Sequence, residues 1–230
     1  MGNGIRCAAF AAACMVVAGI PALASDWRVD VEAGVAAMGR NTIRVPATLG
    51  TTFSFTDDLS VDAVVYWRAR VDWHVTDRHT ISAMVMPLHF TATGEFDRPT
   101  RFYTRLFQPD TAVRATYKVD LYYLTYRFTV VDREQFRLGL GLTGRYRDSE
   151  VRLDDGSEAA KATRQQFRPL ANFQADWMPS RLWTFRLAGD AMVWSEGRVE
   201  DITAVAMYRV QRNLQIKAGY HLIERSEARR

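Results

Sequence analysis

Charged residues recur at alternate positions along this chain: Arg28, Asp30 and Glu32; Arg68, Arg70 and Asp72; Arg127; Arg137, Arg145 and Arg147; Arg168 and Asp176; Arg186 and Asp190; Asp201 and Arg209; Lys217. Guanidinium groups pair bidentately with carboxylates, so charges of both signs on one inner face would lock into an ion-paired network. Arg68, Arg70, Asp72, Arg127, Arg145, Arg147, Arg186, Asp190, Asp201 and Arg209 are the residues expected to carry it. Such a network either fills a narrow interior that has no room for an apolar core, or lines an anion- or solute-selective path with excess arginine. In a barrel of eight to ten strands side chains nearly fill the interior, which favours a plugged lumen.

Catalysis would need a nucleophile with a base, or paired carboxylates. The histidines are His74, His79, His89 and His221, and His221 with Glu224 and Ser226 is the best set near an outer rim. Those residue types are common, and their spacing matches no catalytic motif. Asp154-Asp155-Gly156, with Asp148, Glu150 and Glu158 nearby, could bind Ca²⁺, although such runs are more often solvated turns. No glycine-rich phosphate loop and no clustered metal ligands stand out. No cofactor is implied, and the chain reads as a non-enzyme.

The elements that must position these charges are β-strands. From Leu182 to Trp194, Trp183, Phe185, Leu187 and Val193 fall on one face, and Thr184, Arg186 and Asp190 on the other. Val65–Val75, Tyr122–Val130 and Phe136–Arg147 repeat the pattern, and further strands are predicted near Trp27–Met38, Thr80–Phe90, Phe167–Met178, Ile202–Val210 and Leu214–Ile223. Short turns at Thr76–His79, Val131–Glu134, Pro179–Arg181 and Gln211–Asn213 alternate with longer polar segments near 39–61, 95–112 and 152–163, and with the tight Ser195-Glu196-Gly197. Short turns on one side and long loops on the other are the mark of an outer-membrane barrel.

The first 24 residues read as a signal peptide. Arg6 precedes an uncharged run from Cys7 to Ile20, Pro21 breaks it, and Ala22-Leu23-Ala24 supplies a cleavage site. The run is too short to span a bilayer as a helix. Cys7 and Cys14 both lie within it, so residues 25–230 have no thiol, disulfide or cysteine-ligated metal. The net charge of +4 is interleaved with apolar residues rather than clustered, which sets nucleic acid aside. The partners implied are outer-membrane lipid and, during insertion, the barrel-assembly machinery of a Gram-negative cell.

Period two does not say which face is inside, so a soluble lipocalin-like barrel is the rival architecture. Two features favour the membrane. The polar face carries both signs of charge, and Trp67, Trp73, Tyr126, Phe128, Trp177, Trp183 and Tyr208 recur near strand ends on the apolar face, where interfacial girdles sit. The expected architecture is all-β: an antiparallel up-and-down transmembrane barrel of eight to ten strands in one domain, 25–230, after a signal peptide, 1–24.

From about Leu49 to Glu224 the chain resembles a family of uncharacterised bacterial outer-membrane β-barrel proteins. The residues that carry this are Gly50-Thr51 with Phe53-Ser54-Phe55, Arg78-His79, Met86-Pro87-Leu88, Tyr122 to Phe128, Gly141-Leu142-Thr143 with Arg147-Asp148, Gly189-Asp190, Gly197-Arg198 with Asp201, and Gly219-Tyr220. The resemblance implies location and architecture but no reaction. It also implies one more strand after Glu224. Nine strands are countable, while single-chain bacterial barrels have even numbers. Either the chain is a fragment lacking its closing strand, or Thr51–Phe55 supplies one.

Overall fold

The computed structural model describes residues 9–16, 26–39, 41–46, 49–194, 197–211 and 214–227, with side chains described except at 9–16, 194, 197 and 224–227. In chain order the strands are β1 (Ala9–Val16), β2 (Trp27–Met38), β3 (Thr42–Ile43), β4 (Phe53–Ser54), β5 (Ser60–Val61), β6 (Val64–His74), β7 (His79–Glu95), β8 (Thr100–Phe102), β9 (Arg105–Phe107), β10 (Ala112–Arg133), β11 (Phe136–Asp154), β12 (Ala159–Trp177), β13 (Trp183–Trp194), β14 (Gly197–Gln211) and β15 (Leu214–Glu227). Ten of them close an antiparallel ring, β1–β2–β6–β7–β10–β11–β12–β13–β14–β15 and back to β1. β3 with β4 and β8 with β9 form two hairpins, and β5 lies along the top of β7.

The place between β15 and β2, left open by nine strands, is taken by β1, antiparallel to both. The closing strand therefore comes from the segment read as a signal peptide, whose Ala22-Leu23-Ala24 site lies outside the described residues. Thr51–Phe55 is not that strand, since Phe53 and Ser54 pair with Ile43 and Thr42 in the upper hairpin. The short connections after β6, β10 and β12 share one end of the barrel, as expected. Arg212-Asn213 and Ser195-Glu196 lie outside the described residues. The long polar loop expected at 152–163 is instead a tight turn, because β11 and β12 continue to Asp154 and Ala159.

These strands outrun their predicted ends because their alternation inverts part-way up. On β10, Tyr122, Leu124 and Tyr126 face outward, with Thr125, Arg127 and Thr129 buried inside; above Tyr122, Val113, Ala115, Tyr117, Val119 and Leu121 are buried inside, and Arg114 and Lys118 are exposed outside. β11 does the same: Leu140 and Leu142 face out below, while Val151 and Leu153 face in above, with Arg152 outside. The lower storey is built as a membrane barrel, apolar outside and polar inside. The upper storey is built as a soluble protein.

Aromatic rows mark the borders of the lower storey. At its foot Trp27 stacks on Trp73 at 5.5 Å, Trp177 on Phe185 at 5.4 Å, and Trp183 meets Tyr208 at 5.0 Å. At its top Tyr122, Tyr146 and Phe167 stand in register across β10, β11 and β12. Phe136 and Tyr146, one in each row, are ten residues apart on β11. At about 3.4 Å per residue and a tilt of about 40°, the rows stand about 26 Å apart, against an apolar band of about 25 Å in such barrels. Between them Leu142 is 67 % and Leu124 62 % exposed, so a soluble barrel does not account for this half.

β7, β10, β11 and β12 rise above the upper row, and the two hairpins fold against their concave face. Phe53 is the hub, 5.4 Å from Phe96 and 6.1 Å from Phe102, while Phe55 meets Tyr117 at 5.9 Å. Ile43, Phe107 and Leu153 complete a core buried to 2 % exposure or less. The hairpins hold this shape through Arg44 Nε donating to Gly50 O (2.8 Å) and Ser54 N donating to Asp58 Oδ2 (2.7 Å).

Candidate functional site

Inward positions of the lower storey form a buried polar network in three tiers. In the lowest, Arg186 donates to both Asp176 oxygens from Nε and Nη2, at 2.7 and 2.8 Å, and Gln174 donates to the same carboxylate at 3.0 Å. Ser82 Oγ donates to Asp72 at 2.5 Å. In the middle tier Asp190 accepts from Asn172 Nδ2 at 2.8 Å and from Thr143, whose hydroxyl also meets Thr125 at 2.8 Å. Asn172 Oδ1 accepts from Arg127 Nε at 2.9 Å. Gly139 makes room for that arginine, since a Cβ there would lie 2.5 Å from Arg127 Cδ.

The upper tier centres on Asp201. His221 Nε2 and Tyr123 Oη each lie 2.6 Å from its oxygens. With Nε2 carrying the proton toward Asp201, His221 Nδ1 is left as an acceptor 3.4 Å from Arg68. Arg68 pairs with Glu32 at 2.5 Å, Tyr66 donates to Glu32 at 2.8 Å, and Lys217 bridges Glu32 (3.1 Å) and Asp30. Asp190 and Asp201 are directly opposite across β13 and β14, so the hydrogen bonds on each are what lets two carboxylates sit together away from water.

Among the described residues this lumen holds cavities of about 30 and 40 Å³. Each has room for about one or two waters. The tiers put acid, base and carboxylate in contact, and neither of these two cavities has room for an organic substrate. They can hold ordered water and set the charge of a narrow path.

Of the residues predicted to share this interior, Arg68, Asp72, Arg127, Arg186, Asp190 and Asp201 lie in the tiers, and Arg70 lines the smaller cavity with Nη2 3.3 Å from Met84 Sδ. Arg145 is buried opposite Tyr123 of the upper tier, and Arg147 is buried one step above it, where it donates to the Tyr117 hydroxyl. Arg209 is not brought in; it is exposed at the foot of β14. Tyr66, Asn172 and His221 are network members that charge patterning alone passes over, although each shares parity with a charged neighbour: Tyr66 with Arg68, Asn172 with Asp176, His221 with Lys217. His221 therefore lies between Asp201 and Arg68 in the upper tier. Glu224 and Ser226 stand opposite Glu200 and Arg198, and their side chains lie outside the described residues.

The other histidines are peripheral: His79 Nδ1 is 2.8 Å from Tyr126 Oη, and His89 is exposed beside Asp120. The acidic run forms a closed turn. Asp155 Oδ1 accepts from the backbone of Ser157 (3.0 Å) and Glu158 (2.8 Å), and Gly156 takes φ +86°. Glu150 pairs with Lys161 and Glu158 with Arg105, both at 2.6 Å. Among the described residues no group of three His, Cys, Asp or Glu could hold a metal.

No protein-family model matches the sequence, and no curated protein is similar to it. Solved structures are similar in architecture. The attachment invasion locus protein Ail of Yersinia pestis is 6 % identical, with 98 % of this chain and 99 % of that one covered and a TM-score of 0.34. Outer membrane protein W of E. coli is 13 % identical over 100 % of both chains, with a TM-score of 0.33. The Ralstonia pickettii toluene transporter TbuX is 9 % identical over 90 % of this chain and 65 % of that one, with a TM-score of 0.33. This chain is an outer-membrane-type β-barrel. Its aromatic rows and the inverted alternation of its strands carry that architecture.

Proposed function

We propose that this chain is an integral outer-membrane barrel of a Gram-negative cell, exported by a signal peptide cut after Ala24. Its role is structural, or a narrow passage for small solutes and anions with a lumen plugged at rest. It is not an enzyme, and its partners are outer-membrane lipid and the barrel-assembly machinery. The observation that carries this is the filled interior: hydrogen-bonded tiers that leave cavities of about 30 and 40 Å³, capped by the buried Phe53, Phe55 and Phe102. The arginine excess biases any residual path toward anions.

Planar bilayers test it. The unmodified protein is expected to give small, rare or no openings. Replacing Asp72, Asp190 and Asp201 together by Ala removes acceptors from all three tiers and is expected to raise anion conductance. Large, steady channels in the unmodified protein would remove the plugged reading in favour of an open porin.

A further inference from the structure

The wall of the barrel has a seam. β12 and β13 pair only over Ala171–Trp177 against Phe185–Ala191, while β12 continues upward to Ala159 and β13 to Trp194 with no pairing between them there among the described residues. Pro169, which has no N–H to give a ladder, sits just above the last pair. The free length of β12 begins above Ala171, about 10 Å below the Tyr122–Tyr146–Phe167 row at about 3.4 Å per residue and about 40° tilt, and passes that row, where bilayer meets water, at Phe167.

Arginines line the inner side of this seam. The register sets Arg145 opposite Arg168, Arg147 opposite Gln166, and Ser149 opposite Arg164. Burial deepens from the edge inward: Arg164 is exposed, Arg168 half-buried, Arg147 7 % and Arg145 4 % exposed. Arg164 and Arg168 hold contacts of their own, and Arg147 donates to Tyr117. Arg145 Nε is buried with no hydrogen-bond partner among the described residues. From this row upward the inward positions of β10, β11 and β12 carry only arginine, serine, glutamine, tyrosine and aliphatic side chains, and no carboxylate. Asp201 on β14 is already held by His221 and Tyr123. Desolvation first, and then the charge of Arg147, push the Arg164 guanidinium below its ordinary value.

We propose that Arg145, Arg147, Arg164 and Arg168 form an oxyanion site for a phosphate group, reached sideways through the seam between β12 and β13. Guanidinium forks suit phosphate, and a tetrahedral dianion offers oxygens to arginines on two strands at once, where a carboxylate is satisfied by one fork. The seam runs up through headgroup level, where Arg164 and Arg168 stand, so free phosphate and the phosphate of an outer-leaflet lipid share the required chemistry. The site needs the barrel but not conduction: binding is read in micelles and passage in planar bilayers, so either can fail alone.

The full chain in detergent micelles is titrated with inorganic phosphate and, separately, with lipid A in mixed micelles, using ³¹P NMR and calorimetry. Saturable binding of at least one probe is expected, weakened at least tenfold by R164Q/R168Q. That variant changes the accessible edge and should keep heat-modifiable gel mobility even if R145Q does not fold. Binding of phosphate assigns a free-anion site, and binding of lipid A alone assigns a headgroup site. Binding of neither probe, equal binding by R164Q/R168Q, or equal binding of dephosphorylated lipid A would each overturn the proposal.

Discussion

An arginine scan up the outward face of β11 reads the membrane border one residue at a time. With the Phe136 and Tyr146 rows about 26 Å apart, Leu138 stands about 5 Å above the lower row, Leu140 about 10 Å and Leu142 about 16 Å, at about 3.4 Å per residue and about 40° tilt. The mid-plane falls between Leu140 and Leu142, which are 48 % and 67 % exposed to lipid. Arginine at either should cost about 2–4 kcal/mol, a shift of about 30- to 700-fold in the folding equilibrium, and less at Leu138 or Phe136. Above the upper row the rule reverses. Arginine at the exposed, outward Thr91 should cost almost nothing, whereas at the inward, buried Leu153 it places an unpaired charge in an apolar core and should be severely destabilising. Urea-dependent folding into lipid vesicles, followed by tryptophan fluorescence, gives each value. A flat profile from Phe136 to Tyr146, or a cost at Thr91 equal to that at Leu140, would refute the reasoning.

Three further outcomes are expected. Protein from an outer-membrane fraction should begin at Ser25 by mass spectrometry, which removes β1, so residues 25–230 should refold to a heat-modifiable barrel in which β2 and β15 pair directly and leave no backbone groups unpaired in hydrocarbon; an outer-membrane N-terminus before Ala9, or a 25–230 chain without heat-modifiable mobility, would mean that β1 is kept as the closing strand. Phe53→Ala should cost the upper storey about 3–5 kcal/mol, leaving insertion intact but opening the hairpins to added protease. Hydrogen bonds from the Ser157 and Glu158 amides and the Ser157 hydroxyl hold the Asp155 carboxyl below its usual range, so the turn is supported above the unfolded pKa and that support is lost as pH falls through the lower folded pKa; the two amide NMR shifts should titrate together there, and D155N should abolish the step.

The lower storey is legible in the sequence because one phase of alternation, apolar out and charged in, runs unbroken through Tyr122–Val130 and Phe136–Leu142. The upper storey is not. At Leu121-Tyr122-Tyr123 the apolar phase changes face without a turn residue, so a fixed-phase reading stops the strand at Tyr122 although the ladder runs on to Ala112. Phe53-Ser54-Phe55 looks like a strand fragment because its aromatics alternate, but its partners are a two-residue strand and the concave wall, which no local pattern reveals. Charge selected much of the lumen, since an ion is conspicuous on a strand. Tyr66, Tyr123, Asn172 and His221 entered only through cross-strand partners such as Glu32 and Asp201, far away in sequence. The seam between β12 and β13 depends on where pairing stops, and Pro169 was its one local sign.

Site-directed spin labelling along β10 tests the two-storey barrel most directly. With Cys7 and Cys14 replaced, single cysteines at even positions from 114 to 130 are labelled, and the protein is placed in lipid bilayers. Accessibility is then measured to oxygen, which enters lipid, and to a polar nickel reagent, which stays in water. Positions 122 to 130 should favour oxygen, and positions 114 to 120 the nickel reagent, with the crossover at Tyr122. Oxygen preference at even positions along the whole strand, or nickel preference along the whole strand, would contradict a barrel that is membrane-built below and soluble-built above.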